Sequence, residues 1–208
     1  MKRLLLKLRG FTLVELLVVI SIITILAGLT LSTVGYANKK AAMDRARAEI
    51  AGLEVALESY KIDNGDYPRS SDTAQTDLAA DALNAQVSKN ATVSAGVYTK
   101  ASLALYKALS ADTSLNRSLD ATEKAAGRVY FPFKPNMLYP PCPVGATQTT
   151  VQAVVDPFHN VYGYSTIGSA STTGTQSGMG YNPTFDLWTT VDPQKSGTTP
   201  LATWISNW

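Results

Sequence analysis

With 208 residues the chain is long enough for one domain of ordinary size plus an N-terminal segment. A mean hydropathy of zero argues against repeated membrane crossings, and a single cysteine, Cys142 in PPCPV, excludes an internal disulfide framework and reads as a small buried apolar group. The net charge of +2 misleads: Lys2, Arg3, Lys7 and Arg9 precede the first apolar run, and taking them from the 18 basic residues leaves 14 against 16 acids, not the balance of a nucleic-acid-binding surface.

The first element is apolar. From Phe11 to Leu31, 21 residues, the only ionisable side chain is Glu15. A helix rising about 1.5 Å per residue needs roughly 20 residues to cross a bilayer core, so the run predicts one crossing. The four cations before it place the N-terminus in the cytoplasm and the remainder across the membrane. An ordinary secretory signal is cut after its apolar region; here the prominent small residue is Gly10, before the run, where cleavage would remove only the basic leader.

Glu15 becomes interpretable on that basis. A carboxylate within a membrane helix costs roughly 2.5–3.5 kcal/mol near the centre, less near an end, and usually has a partner. Cleavage after Gly10 would put a new α-amino group on Phe11, four residues or about one helical turn before Glu15. Within one chain the two charges could pair, but the more useful arrangement is between neighbours, each Glu15 neutralising the terminus of an adjacent subunit and fixing the axial stagger. The competing reading is a plain signal anchor with a stray glutamate.

The helix continues past the membrane boundary. Ala46, Ile50, Leu53, Leu57 and Tyr60 recur at spacings of 4, 3, 4 and 3 with charged residues between them, an amphipathic stripe that predicts core packing. The sequence DNGDYP, residues 63–68, ends it, with Asn64 and Gly65 as C-terminal caps and Pro68 beyond. One helix from about Phe11 to Asp63 would be roughly 80 Å long.

Residues 69–129 carry a polar loop, SSDTAQTD, then TDLAADALNAQVS as a short helix and ASLALYKALSAD as a firmer one, with Leu105 and Leu109 on one face. RVYFPFKPNMLYPPCP places five prolines in 16 residues, which argues against any regular element and for an extended segment across a sheet. VYGYST (161–166) and FDLWTTV (185–191) alternate as strands, and TWISNW offers a final short strand anchored by Trp204 or Trp208. The expected fold class is therefore α+β. Its divisions are a basic leader at 1–10, a transmembrane or filament-core helix at 11–35, its amphipathic continuation at 36–65, a variable loop and short-helix region at 66–155, and an antiparallel sheet at 156–208.

The segment RGFTLVELLVVISIITILAG resembles the cleavage and methylation segment of type IV prepilins and type II secretion pseudopilins. Further along, DPFHNVYGY, FDLW and ISNW resemble the major, G-class pseudopilin, so the likeness covers roughly residues 1–68 and 156–208. It implies a long N-terminal helix packed on a small C-terminal antiparallel sheet. It also implies cutting between Gly10 and Phe11 by a prepilin peptidase, methylation of the Phe11 amine and a role for Glu15 in assembly. The partners implied are further copies of the chain in a helical filament, minor pseudopilins, and an inner-membrane assembly platform with its ATPase. The filament would serve protein export across the outer membrane. A type IV pilin of a surface fibre is the first alternative, and a membrane-anchored, non-polymerising binding head the second.

The resemblance also raises calcium, held in the family in the loop after the strand that FDLW matches. Calcium takes six to eight oxygen ligands. Here Asp192 is the only acid in that loop, Trp204 stands where the family has aspartate, and a loop closed without metal by Pro193, Gly197 and Pro200 is preferred. No other cofactor is expected. Nor is catalysis: the single histidine, His159, lies in the turn DPFHNVY where the family has glycine, with no paired-carboxylate or metal-ligand spacing around it.

Overall fold

The computed structural model describes residues 11–70, 97–142, 150–170, 181–190 and 204–208. Gly10, Asp192, the short helix expected at 76–88 and most of the Gly, Ser and Thr-rich stretch after Ile167 lie outside the described residues. The architecture is α+β and pilin-like, a long N-terminal helix with small antiparallel sheets. It divides into two compact units, one ending at Ala41 and one running from Ala42 to Trp208.

Helix α1, Leu13–Asn64, contributes to both units. In the first, its apolar side chains are exposed, from Val18 at 49% to Leu13 at 82%. Its hydroxyls bond back to the helix: Ser21 Oγ donates to the Leu17 carbonyl at 2.8 Å and Thr24 Oγ1 to that of Ile20 at 2.7 Å. No free hydroxyl donor is then presented by either residue to an apolar surrounding. The helix stops as its sequence predicts. Gly65 adopts φ +86° and its N–H donates to the Lys61 carbonyl at 2.7 Å, the left-handed C-terminal cap that favours glycine.

In the second unit Ala46, Ile50, Leu53 and Leu57 are buried and Tyr60 partly so, which is the predicted stripe. It packs with Leu105, Tyr106 and Leu109 of α2 (Val97–Ser110) and with Tyr162, Tyr164 and Leu187. Strands β3 (Gly163–Ser165), β4 (Asp186–Thr189) and β5 (Ile205–Ser206) form an antiparallel sheet in that order, pairing Gly163 with Trp188 and Trp188 with Ser206. This sheet lies at the three places where strands were expected.

Two further strands do not. β1 (Leu138–Tyr139) pairs with β2 (Ala153–Val154) inside the proline-rich and loop region. The prolines flank β1 instead of interrupting it, because a two-residue strand fits between Pro135 and Pro140 without asking a proline for a ladder donor. Pro135 itself opens a 3₁₀ turn, Pro135–Met137. β2 is tied to α2 through Ser102, whose Oγ accepts from the Val154 N–H at 2.7 Å. A short helix, α3 (Ala121–Ala126), was also unexpected; Asp120 and Glu123 form a reciprocal capping box at its start. A last short helix, α4, spans Ile167–Ala170. Cys142 is only partly buried, contrary to the core position expected of it.

Candidate functional site

Phe11 and Glu15, two of the residues singled out in the sequence, lie at the start of α1. Thr12 is the N-cap: its carbonyl accepts from the Leu16 N–H at 3.3 Å and its Oγ1 from the Glu15 N–H at 3.3 Å. Glu15 reaches back, its Oε2 accepting from the Thr12 N–H at 2.9 Å and from the Thr12 hydroxyl at 2.7 Å. This is a capping box, with threonine at the cap and glutamate three residues on. The T-x-x-E spacing that announces it stands in the sequence beside the motif that drew attention to Glu15 for its charge alone.

The box changes what Glu15 does. Its carboxylate satisfies amide and hydroxyl donors that a helix N-terminus otherwise leaves unmet, and the helix dipole there favours a negative charge. Both bonds go to Oε2, so Oε1 retains its capacity to accept a further donor, such as an α-amine. Phe11, one residue before the cap, is 80% exposed. Gly10, on the other side of the expected cut, lies outside the described residues. Helix α1 is long and apolar enough to cross a membrane, with mean hydropathy 2.5 in its most apolar window.

A prokaryotic N-terminal methylation motif matches residues 7–31, and a family described as type II secretion system (T2SS), protein G matches residues 33–104. Over those spans the chain is similar to protein G of the type II secretion system. The core protein G of Escherichia coli (strain K12) is 40% identical over 77 residues, 37% of this chain and 53% of that protein. Those of Pectobacterium carotovorum subsp. carotovorum and Aeromonas hydrophila are 45% identical over 60 residues and 46% over 59. These cover 29% and 28% of this chain and 38% and 41% of the relatives. The chain thus spans about half or less of the relatives it matches. No solved structure gave a significant match. The protein G match runs to residue 104, into a region for which the sequence motifs showed no correspondence, whereas residues 156–208 lie beyond it.

The other residues singled out behave differently. Asp192 lies outside the described residues. At the end of the same loop the Trp204 ring stacks on Trp188 with centroids 6.3 Å apart and planes 12° from parallel. An indole brings no side-chain oxygen to a cation there. His159 takes a left-handed φ of +68°, its N–H donating to the Asp156 carbonyl at 2.9 Å. Its side chain is exposed and stands in a turn, in the left-handed conformation that glycine most readily adopts.

Two carboxylates that the sequence reading passed over organise this unit. Asp156, 1% exposed, accepts from the Phe158 and Asn160 N–H groups, both at 2.8 Å, from Asn160 Nδ2 and from the Thr189 hydroxyl. It closes the DPFHN turn onto β4. Asp112, 2% exposed, accepts from Tyr106 OH at 2.8 Å, from Ser114 Oγ at 3.1 Å, and from the Asn116 and Arg117 N–H groups at 3.2 and 2.7 Å. An aspartate opening a D-P-x-x-N or D-x-S-x-N sequence is the available signal for both.

Proposed function

We propose that this chain is a structural pilin-like subunit that polymerises into a type II secretion pseudopilus serving protein export across the outer membrane. The observation that supports it best is the coincidence, at one helix start, of a methylation motif, an exposed Phe11, the Thr12–Glu15 capping box and an apolar run with exposed side chains. A prepilin peptidase cuts between Gly10 and Phe11 and methylates the new amine. The subunit waits in the inner membrane as a single-pass protein, its N-terminus cytoplasmic and its head periplasmic. An assembly platform with its ATPase then adds it to a homopolymer that also carries minor pseudopilins. In the filament the Oε1 of Glu15 accepts from the Phe11 amine of a neighbour while Oε2 keeps its own helix start, so one carboxylate sets both the cap and the register. Neither catalysis nor nucleic-acid binding belongs to this reading.

Intact-mass spectrometry of the membrane-extracted protein tests it. A chain beginning at methylated Phe11 is expected. An uncut chain in a host with an active prepilin peptidase would overturn the reading in favour of a simple anchor. A cut chain found in surface fibres instead of a secretion pseudopilus would favour the type IV pilin.

A further inference from the structure

The stretch Asp112–Glu123 reads DTSLNRSLDATE. Counted from Asp112, oxygen-bearing residues occupy positions 1 (Asp112), 3 (Ser114), 5 (Asn116), 7 (Ser118), 9 (Asp120) and 12 (Glu123). Those are the six ligand positions of the twelve-residue calcium loop of helix–loop–helix proteins, in which position 7 ligates through its carbonyl and position 12 is a bidentate glutamate. The match is one of register along the sequence and includes neutral as well as acidic residues at the prescribed places. It departs in having serine at position 3 and Arg117 at position 6, where the pattern has glycine for a sharp turn.

The structure accommodates the second departure. Arg117 adopts φ +66°, the left-handed conformation for which glycine is used, and its side chain leaves the loop to donate to the Pro140 carbonyl. The helices are also in place. α2 ends at Ser110, two residues before position 1, and α3 begins at Ala121, position 10.

We propose that Asp112–Glu123 binds a calcium ion, at a place separate from the loop around Asp192. Asp112, Ser114 and Asn116 supply side-chain oxygens, Ser118 its carbonyl, Asp120 a carboxylate oxygen directly or through water, and Glu123 both carboxylate oxygens. Positions 1, 3 and 12 already adjoin, for Ser114 Oγ lies 3.1 Å from Asp112 Oδ1 and Ser114 N 2.9 Å from Glu123 Oε1. As the loop stands, Glu123 is turned to backbone amides, and no three acidic, histidine or cysteine side chains converge on a point among the described residues. Binding therefore exchanges those amide partners of Glu123 for the ion. Oxygen ligands spread over a twelve-residue loop suit the larger, flexibly coordinated calcium better than octahedral magnesium. The proposal does not depend on the pseudopilus reading.

The test uses the full-length protein in detergent, titrated with terbium and then with calcium or magnesium from roughly 10 µM to a few mM, a range that spans sensor and extracellular sites. Tyr106, whose hydroxyl lies 2.8 Å from Asp112 Oδ2, serves as the antenna for terbium luminescence. Saturable luminescence displaced by calcium but not by equal magnesium is expected, with a calcium-dependent rise in thermal midpoint. Glu123→Gln keeps an acceptor for the capping box but loses the bidentate charge, so calcium should bind at least about tenfold more weakly. Should that variant fail to fold, Asp120→Asn keeps a good N-cap and should weaken binding in the same direction. Asp192→Asn should bind as the parent does. No saturable binding, unchanged binding in both loop variants, or loss through Asp192→Asn alone would overturn the proposal.

Discussion

The Tyr162 hydroxyl donates to Glu49 Oε2 at 2.7 Å, while Arg45 Nε donates to the other oxygen at 2.7 Å. Glu49 is only 8% exposed although it sits among the charges that flank the α1 stripe, so its burial is compensated by a cation on its own helix and a phenol 113 residues away. Burial first, and the carboxylate second, push the Tyr162 phenol far above its ordinary range. Tyr162→Phe should lower stability by about 1.5–3 kcal/mol, the range for a hydrogen bond to a charged group. Denaturant unfolding of the detergent-solubilised chain checks this, and the loss should shrink when Glu49 is already Gln.

Gly163 is held for a different reason. A Cβ placed there would lie 2.1 Å from Cε2 of Trp188, its partner across β3 and β4. Gly163→Ala must displace a fully buried indole, and overpacking of this kind costs about 1–3 kcal/mol or more. Loss of near-ultraviolet circular dichroism from tryptophan, with far-ultraviolet helix signal retained, is the expected signature.

Asp156 should show itself in the pH dependence of stability. Desolvation raises its pKa above the ordinary 3.8, against the lowering effect of its hydrogen bonds to Thr189, Asn160 and Phe158. A carboxyl whose folded pKa is raised binds its proton more tightly in the fold. Its contribution is therefore fully present below 3.8 and is lost as pH rises through the raised folded value. Asp186 is shifted upward too, again by burial, and acts in the same direction. The stability difference between the parent and Asp156→Asn should thus turn against the parent across that window. A difference independent of pH would contradict the assignment.

The two functions of Glu15 can be separated. Glu15→Gln keeps an acceptor for Thr12 and removes the charge, whereas Thr12→Ala keeps the charge and removes the cap hydroxyl. Sedimentation of filaments should show assembly lost in Glu15→Gln and only reduced in Thr12→Ala. Intact mass should show both still cut.

Legibility followed the physical range of each signal. The α1 stripe and its Gly65 stop rest on helical period and on a left-handed residue, both local, and both stand in the sequence. The strands around Tyr164, Leu187 and Ile205 alternate in side-chain type along the sequence and were equally readable, although every residue of β3 and β4 is buried. β1 and β2 were not, because two-residue strands have no period and depend on partners such as Ser102 that only the tertiary fold supplies. α3 was missed although Asp120 and Glu123 spell its capping box, since six residues lack an apolar stripe to draw attention. At the helix start the charge of Glu15 stood out in the sequence, but its bond to Thr12, three residues away, did not, because a T-x-x-E spacing is easily passed over beside an apolar run.

All three tryptophans of the chain, Trp188, Trp204 and Trp208, gather on the β3–β5 sheet, with Trp208 also stacked on Tyr181 at 4.3 Å. Intrinsic fluorescence is therefore a local gauge: excited at the red edge, it registers the sheet and is silent on the Asp112 loop and the apolar start of α1. Tyrosine emission is less local, because Tyr164 lies in β3 and Tyr181 stacks on Trp208 while Tyr60, Tyr106 and Tyr130 lie elsewhere. Red-edge excitation of an unlabelled sample thus follows melting of the sheet on its own, apart from any loosening around α2 and α3.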